Sequence, residues 1–331
     1  MSKNQIKKIL TINKNKIRKS KILCIGDIIL DHYIFGKVHR LSPEAPVPIL
    51  LSERESYKLG GVGNVVKNIS SIGAKASILY LSGNNNSSKI IKNLIKKEKD
   101  IKRYQITVPN FITPVKIRYI NKTAQIMRLD RENLKFKLNK SYIKIIVNRV
   151  DKIIKNYDLI VLSDYNKGIF DKSLIKSLVI LSKKYNKKII VDPKNIDLSI
   201  YANVDLITPN QKEITDSAFK KYLSEKNLIK YSKKIINNHK IKNILITRSK
   251  DGMLFIDDKK SKKYLANANK VIDVTGAGDT VLALLAVMLS AGCTLNECVI
   301  VSNYAAGLVI AKNGTESLTF KELMSWKKYS S

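Results

Sequence analysis

Three cysteines are all that this 331-residue chain contains, and Cys24, Cys293 and Cys298 form neither a C-x-x-C pair nor a zinc-ligand spacing. That excludes a disulfide-built scaffold and a zinc module, and leaves buried or half-buried free thiols in a reducing compartment as the expectation. Acidic residues are also scarce: 27 Asp and Glu stand against 61 Lys and Arg, a formal net charge of +34. Apolar runs are short. None approaches 18 residues, so no membrane span is expected. The Lys-rich stretch from Met1 to Lys21 lacks the continuous apolar core of a signal peptide, and the expected location is the cytoplasm. No G-x-x-x-x-G-K-[ST] string occurs, which removes the P-loop route to phosphoryl transfer.

A charge of this size attracts polyanions and phosphorylated metabolites. The excess is mostly Lys, however, and is spread through nearly every segment. No basic run is interleaved with aromatics and no nucleic-acid-binding motif occurs, so a specific nucleic-acid partner is not expected. A non-catalytic polyanion binder remains the rival reading from a different class, and it predicts steeply salt-dependent retention of DNA. Hydrophobic residues make up 44% of the chain, enough for a sizeable core.

What is present is alternation. Short apolar runs at Ile22–Ile25, Ser77–Leu81, Leu159–Leu162, Ile189–Val191, Leu206–Ile207, Ile244–Thr247 and Met253–Ile256 read as strands. Between them, Gly63–Ile72, Lys89–Lys97, Tyr142–Ile154, Lys172–Lys184, Leu228–Asn238, Ala277–Ala291 and Leu295–Lys312 carry helical periodicity. This predicts an α/β fold with a mostly parallel sheet covered on both faces. Two stretches, about 31–53 and 103–132, alternate apolar and polar residues without a helix and are expected to project as a small β lid.

The most informative string is Asp273-Val-Thr-Gly-Ala-Gly-Asp-Thr280. Gly276, Ala277 and Gly278 open a long apolar helix, where small residues let backbone N–H groups approach an anion. Asp279 then falls in the first helical turn, beside the place where a phosphoryl group would be held. A carboxylate there can take a proton from an attacking hydroxyl. Further motifs are Gly60-Gly61-Val-Gly-Asn64, two carboxylates (Asp27 and Asp31) after the first strand, and Asn210-Gln-Lys-Glu213. The last is equally the pattern of an ordinary helix capping box.

Together these strings resemble the signatures of the ribokinase-like (PfkB) carbohydrate kinases, from about Lys21 to Leu323. The resemblance implies a three-layer sandwich with a β lid, residues 21–323 forming the kinase domain, 1–20 a basic N-terminal extension and 324–331 a tail. It implies ATP and Mg²⁺ as cofactors, with Asp279 as base and Gly276, Ala277 and Gly278 as the anion hole. Asn210, Glu213, Thr247, Gly252 and Asn303 fall at the nucleotide and its Mg²⁺. Asp27, Asp31, Gly60, Gly61, Asn64 and Asp192 fall at the sugar, and Asp273 and Thr275 at a monovalent cation such as K⁺.

Within the family, Asp31 to Pro48, with its Ser42-Pro-Glu-Ala-Pro-Val-Pro48 string, is similar to the first lid segment of D-glycero-β-D-manno-heptose-7-phosphate kinases. That likeness implies phosphorylation at O1 to the 1,7-bisphosphate, a step toward ADP-heptose and the lipopolysaccharide core. Lys116, Arg118, Arg128, Lys167 and Lys194 would hold the phosphate that the substrate already carries. A kinase acting on another phosphosugar is the nearest alternative. The likeness also implies a homodimer formed through the lid. Many such relatives carry a second, nucleotidyl-transferring domain with an H-x-G-H motif. With only His32, His39 and His239, this sequence is not expected to perform that activity.

Overall fold

The computed structural model describes residues 3–98, 100–133, 136–266, 271, 273–312 and 316–325. Helix α1 (Lys3–Lys19) precedes β1 (Lys21–Gly26), and the chain then runs directly into two long strands, β2 (Ile28–Leu41) and β3 (Pro48–Gly61). Next come α2 (Val62–Ser71), β4 (Lys75–Ser82), α3 (Asn86–Lys97), β5 (Ile101–Thr107), β6 (Val115–Asn121) and β7 (Ala124–Arg131). Helices and strands then largely alternate: α4 (Lys140–Ile153), β8 (Leu159–Ser163), α5 (Lys172–Lys184), β9 (Lys188–Asp192), β10 (Leu206–Ile207), α6 (Gln211–Ser217) and α7 (Glu225–His239). The chain closes with β11 (Ile244–Thr247), β12 (Met253–Ile256), β13 (Ser261–Tyr264), α8 (Ala277–Ser290), α9 (Leu295–Val309) and α10 (Phe320–Ser325).

Nine strands form the main sheet in the order β13-β12-β11-β10-β9-β8-β1-β4-β5, parallel from β11 to β5, with β12 antiparallel to both of its neighbours. The pleat explains the sandwich. Along β1, Ile22 and Cys24 enter the core packed by α1, α2, α8 and α9, whereas Leu23 and Ile25 enter the opposite core with α4, α5 and α7. All strand residues of β1, β4, β8 and β9 after the first are buried, as a sheet covered on both faces requires. Cys24 and Cys298 are buried, Cys293 is half-buried, and all three are free. Burial pushes each thiol up, Cys293 to about 11, so none is an activated thiolate at neutral pH. Among the described residues no helix is long and apolar enough to cross a membrane.

The lid is a second, four-stranded sheet in the order β3-β2-β6-β7. β2 and β6 run parallel, pairing Asp31 with Lys116 and Tyr33 with Arg118. Two expectations are corrected here. The stretch 103–132 does not belong wholly to the lid, because Arg103–Thr107 lies in β5 at the edge of the main sheet, paired with β4. An edge strand covered mainly on one face alternates apolar and polar residues just as a lid strand does. Nor is 1–20 a mere basic extension. Its Ile6, Ile9, Leu10 and Ile17 fall on one stripe of α1 and are buried against α8 and α9. The intervening lysines hide that stripe from any search for continuous apolarity. Of the tail 324–331, Met324 and Ser325 finish α10 and the rest lies outside the described residues.

Candidate active site

In an open parallel sheet the crevice beyond the strand C-termini is where ligands bind. Here β1 delivers Asp27, β8 Asp164 and Tyr165, β9 Asp192 and Lys194, and β10 Thr208. Into the same crevice α8 points its N-terminus. Gly276 precedes the helix with φ 80°, a left-handed turn that glycine makes without strain, and no side chain caps the first-turn N–H groups. A Cβ built on Gly278 would meet no atom within 4 Å, so this turn faces open space. It therefore offers an anion site at the positive end of the helix dipole.

Asp279 stands in that turn, 4% exposed. Its Oδ2 accepts from Asn64 Nδ2 at 2.8 Å and its Oδ1 accepts from the Tyr165 hydroxyl at 2.8 Å. Burial pushes the carboxyl up to about 7 and the charge of Asp192 adds to this, while the two hydrogen bonds and Lys194 oppose it. A carboxylate poised near neutrality suits a general base. Asn64 is fixed by a polar ladder between α2 and α8. Asn68 Nδ2 donates to Asn64 Oδ1 at 3.3 Å, and Thr280 Oγ1 donates to Asn68 Oδ1 at 3.2 Å. Gly61 starts α2 with φ 58°.

Asp27, expected at the sugar, has a different immediate role. Its carboxylate accepts from the backbone N–H of Tyr165 at 2.9 Å, of Lys167 at 3.1 Å and of Ile169 at 3.4 Å, and so fixes the loop after β8. Asp31 holds Arg118 at 2.6 Å across the lid strands, directly above Gly60, where any Cβ would collide with Asp31 Oδ2. Lys116, on the neighbouring position of β6, has its ammonium pulled below the ordinary range, first by burial and then by Arg118, Lys167 and Arg128, against the pull of Asp31. Four of the five expected phosphate-binding cations thus act on one spot under the lid. Arg128 is also paired with Asp130, and Lys167 with Glu132 at 2.6 Å.

Lys194 is the exception. Its ammonium lies 2.6 Å from Glu213 Oε1, 3.4 Å from Asp192 Oδ2 and 5.8 Å from the centroid of the Tyr165 ring, which Lys116 of the lid group approaches to 5.6 Å. Glu213 and Asn210 do form the capping box of α6: Asn210 Oδ1 accepts from the Glu213 N–H at 2.8 Å, and Glu213 Oε2 accepts from the Asn210 N–H at 2.7 Å. Capping does not remove Asn210 from the site, because it lines the same cavity as Lys194 and Asp192, and Glu213 meets that wall through Lys194.

That cavity, of 810 Å³, runs from Asp279 and Tyr165 to a slot between the β11–β12 turn and helices α8 and α9. Thr247, Gly252 and Asn303 line it, as do Val271 and Val274. Gly252 has φ 79° and lies so close to Tyr264 O that a Cβ would not fit. Asn303 Nδ2 donates to Leu265 O at 2.7 Å, fixing the segment over the slot. Asp273 and Thr275 sit in the turn before α8, where Asp273 Oδ1 accepts from the Thr275 N–H at 2.8 Å. Sequence reasoning passed over Tyr165, Asn68 and Thr280. Two asparagines four residues apart among the valines and isoleucine of α2 were the available signal for the ladder.

A model of the pfkB family of carbohydrate kinases matches residues 19–321. The chain belongs to that family. The bifunctional protein HldE of Sulfurimonas denitrificans is 37% identical over 321 residues, covering 94% of this chain and 66% of the relative. Its namesake in Paramagnetospirillum magneticum is 35% identical over 301 residues, 91% of this chain and 62% of the relative. This pfkB chain therefore spans about two thirds of the length of such relatives. Among solved structures, phosphofructokinase-2 from Escherichia coli in complex with potassium superposes with a TM-score of 0.77 at 19% identity, covering 92% of this chain and 96% of that one. A ribokinase from Arabidopsis thaliana, complexed with ribose and ATP, gives 0.70 at 16% identity, with 93% and 100% covered. The fold is thus that of the pfkB and ribokinase-like enzymes, and the chain is a sugar kinase, a family membership that implies ATP and a divalent metal.

Proposed function

We propose that this kinase transfers the γ-phosphoryl group of ATP to O1 of D-glycero-β-D-manno-heptose 7-phosphate, giving the 1,7-bisphosphate. The observation that supports the reading is that Asp279 lines the 810 Å³ cavity with its helix N-terminus while Tyr165, which donates to it, has Lys116 of the lid 5.6 Å from its ring. Lys116 feels the charges of Arg118, Lys167 and Arg128, a cation group matched to a sugar that arrives already phosphorylated. The resemblance of the Ser42–Pro48 lid string, and relatives named HldE, support the heptose among such sugars.

In this reading Asp279 takes the proton of the attacking hydroxyl, oriented by Asn64 and Tyr165. ATP brings the transferable phosphoryl group, and its Mg²⁺ neutralises charge on the phosphates. The N–H groups of Gly276, Ala277 and Gly278 receive the charge that develops on the phosphoryl oxygens. Glu213 already accepts from the Asn210 N–H, Asn210 Nδ2 and Lys194, so it suits a metal held through its water shell rather than direct ligation. Asp192 and Asp31 face the sugar, Asp273 and Thr275 would hold a monovalent cation, and a homodimer would cover the exposed Leu51, Met127 and Leu129 of the lid.

ADP release from Mg·ATP is the test, with the heptose 7-phosphate beside fructose 6-phosphate and ribose, for wild type and Asp279→Asn. Turnover on the heptose alone, lost in the variant, is the expected result. Turnover on fructose 6-phosphate instead would keep the base and discard the heptose.

A further inference from the structure

We propose that Tyr165 is a positioning residue for the catalytic base: its hydroxyl fixes Oδ1 of Asp279 while its ring is approached by one cation of the lid and one of the cavity. Three contacts carry this. The hydroxyl donates to Asp279 Oδ1 at 2.8 Å, complementing Asn64 on Oδ2, so each carboxylate oxygen has one fixed donor and keeps a lone pair for the attacking hydroxyl. The Tyr165 backbone N–H is tied to buried Asp27 at 2.9 Å, which anchors the residue from beneath. The ring has the Lys116 ammonium 5.6 Å and the Lys194 ammonium 5.8 Å from its centroid.

A tyrosine does here what a second asparagine could not. Two ammonium groups, one on lid strand β6 and one beyond β9, rest against the same ring, so both phosphate-binding ends are referenced to one rigid body. The hydroxyl remains a donor throughout, because burial and then the charges of Asp279, Asp192 and Asp31 push its proton loss far above neutrality. The proton removed from the sugar therefore ends on Asp279, and Tyr165 neither gains nor loses one. The groups acting on Asp279 are Asn64 from α2, Tyr165 from the loop after β8, and Asp192 and Lys194 from the end of β9. Of these, Tyr165 and Asn64 are the two that touch it.

The inference rests on Asp279 being the base, and the experiment separates the two. Wild type, Asp279→Asn and Tyr165→Phe are assayed across pH with the best sugar that wild type accepts. Phenylalanine keeps the ring beside the two lysines and deletes the hydroxyl alone. The expected result is a fall in kcat of about 10–100-fold with the KM for ATP little changed. The acid limb of the pH profile should move upward, because a donor that favours the ionised carboxylate is gone. A limb left at its wild-type position, or losses confined to thermal stability and both KM values, would overturn the positioning role. Should Tyr165→Phe not fold, 3-fluorotyrosine placed at 165 carries the same test in the other direction. A more acidic hydroxyl donates more strongly and should lower the limb, and an unmoved limb would again overturn the idea. Turnover that survives Asp279→Asn would instead remove the base itself, whatever Tyr165 does.

Discussion

The ammonium of Lys194 lies 2.6 Å from Glu213 Oε1, and this ion pair joins the end of β9 to the first turn of α6 beside the 810 Å³ cavity that Lys194 lines. Burial works against the charge on Lys194, but Asp192 and Glu213 outweigh it and hold the ammonium above its ordinary range. It is a permanent cation facing the space where phosphates would lie. Replacing it leaves Glu213 and Asp192 close to each other with no counter-charge.

Lys194→Ala should therefore act on the nucleotide side. We expect kcat/KM for ATP to fall on the order of 100-fold, with the sugar KM changed much less. Initial-rate kinetics with each substrate varied in turn check this. A loss seen mainly in the sugar KM would return Lys194 to the sugar's own phosphate.

Gly60→Ala tests the lid. The added methyl group would collide with Asp31 Oδ2 and displace the carboxylate that holds Arg118 at 2.6 Å. The expected outcome is a sugar KM raised about tenfold or more, an unchanged KM for ATP, and a stability cost of about 1–3 kcal/mol from overpacking. Substrate kinetics and thermal unfolding measure both.

The pH dependence of turnover should follow one carboxylate. With Asp279 pushed up to about 7, activity rises as pH rises through neutrality and falls with one proton below it. A log–log profile of kcat/KM with unit slope on the acid side is the expected shape. A flat profile between about pH 5 and 8 would contradict a base at this position.

Stability should run the opposite way. Asp27 is pushed up to about 7, by burial first and then by the charge of Asp164, whereas its ordinary value is 3.8. Between those values the folded chain holds a proton that the unfolded chain has released. The contribution is fully present below the ordinary value and is lost as pH rises through about 7. Urea unfolding at pH 5.5 and 8 should show a drop on the order of 1–2 kcal/mol on this account. Asp27→Asn should make the drop smaller without abolishing it, because an amide oxygen can still accept from the Tyr165 and Lys167 N–H groups while Asp279, also pushed up to about 7, keeps its own share.

Much of this architecture was legible because the main sheet is buried on both faces. Continuous runs such as Leu159–Leu162 and Ile189–Val191 have few other uses in a protein of this size. The turn before α8 was equally plain, since Gly276-Ala-Gly278 ahead of an apolar run predicts the glycine-opened helix start that forms there. Tyr165 was not. A tyrosine after a strand carries no spacing signal, and its contact with Asp279 spans 114 residues of sequence. The surroundings of Lys194 were hidden for a related reason. In a chain with 61 basic residues the charge names a candidate, and only folding shows which carboxylate it meets. Asp27 illustrates the third limit: a buried carboxylate at a strand end can serve the substrate or the loop above it, and here the loop's N–H groups reach it.

Helix α1 packs against α8, the helix whose first turn holds Asp279, and against α9. Every motif lies beyond Lys21, yet removing α1 would lay bare an oily strip where Ile6, Leu10 and Ile17 had rested. A segment with no motif of its own thus holds in place the helix that carries the site.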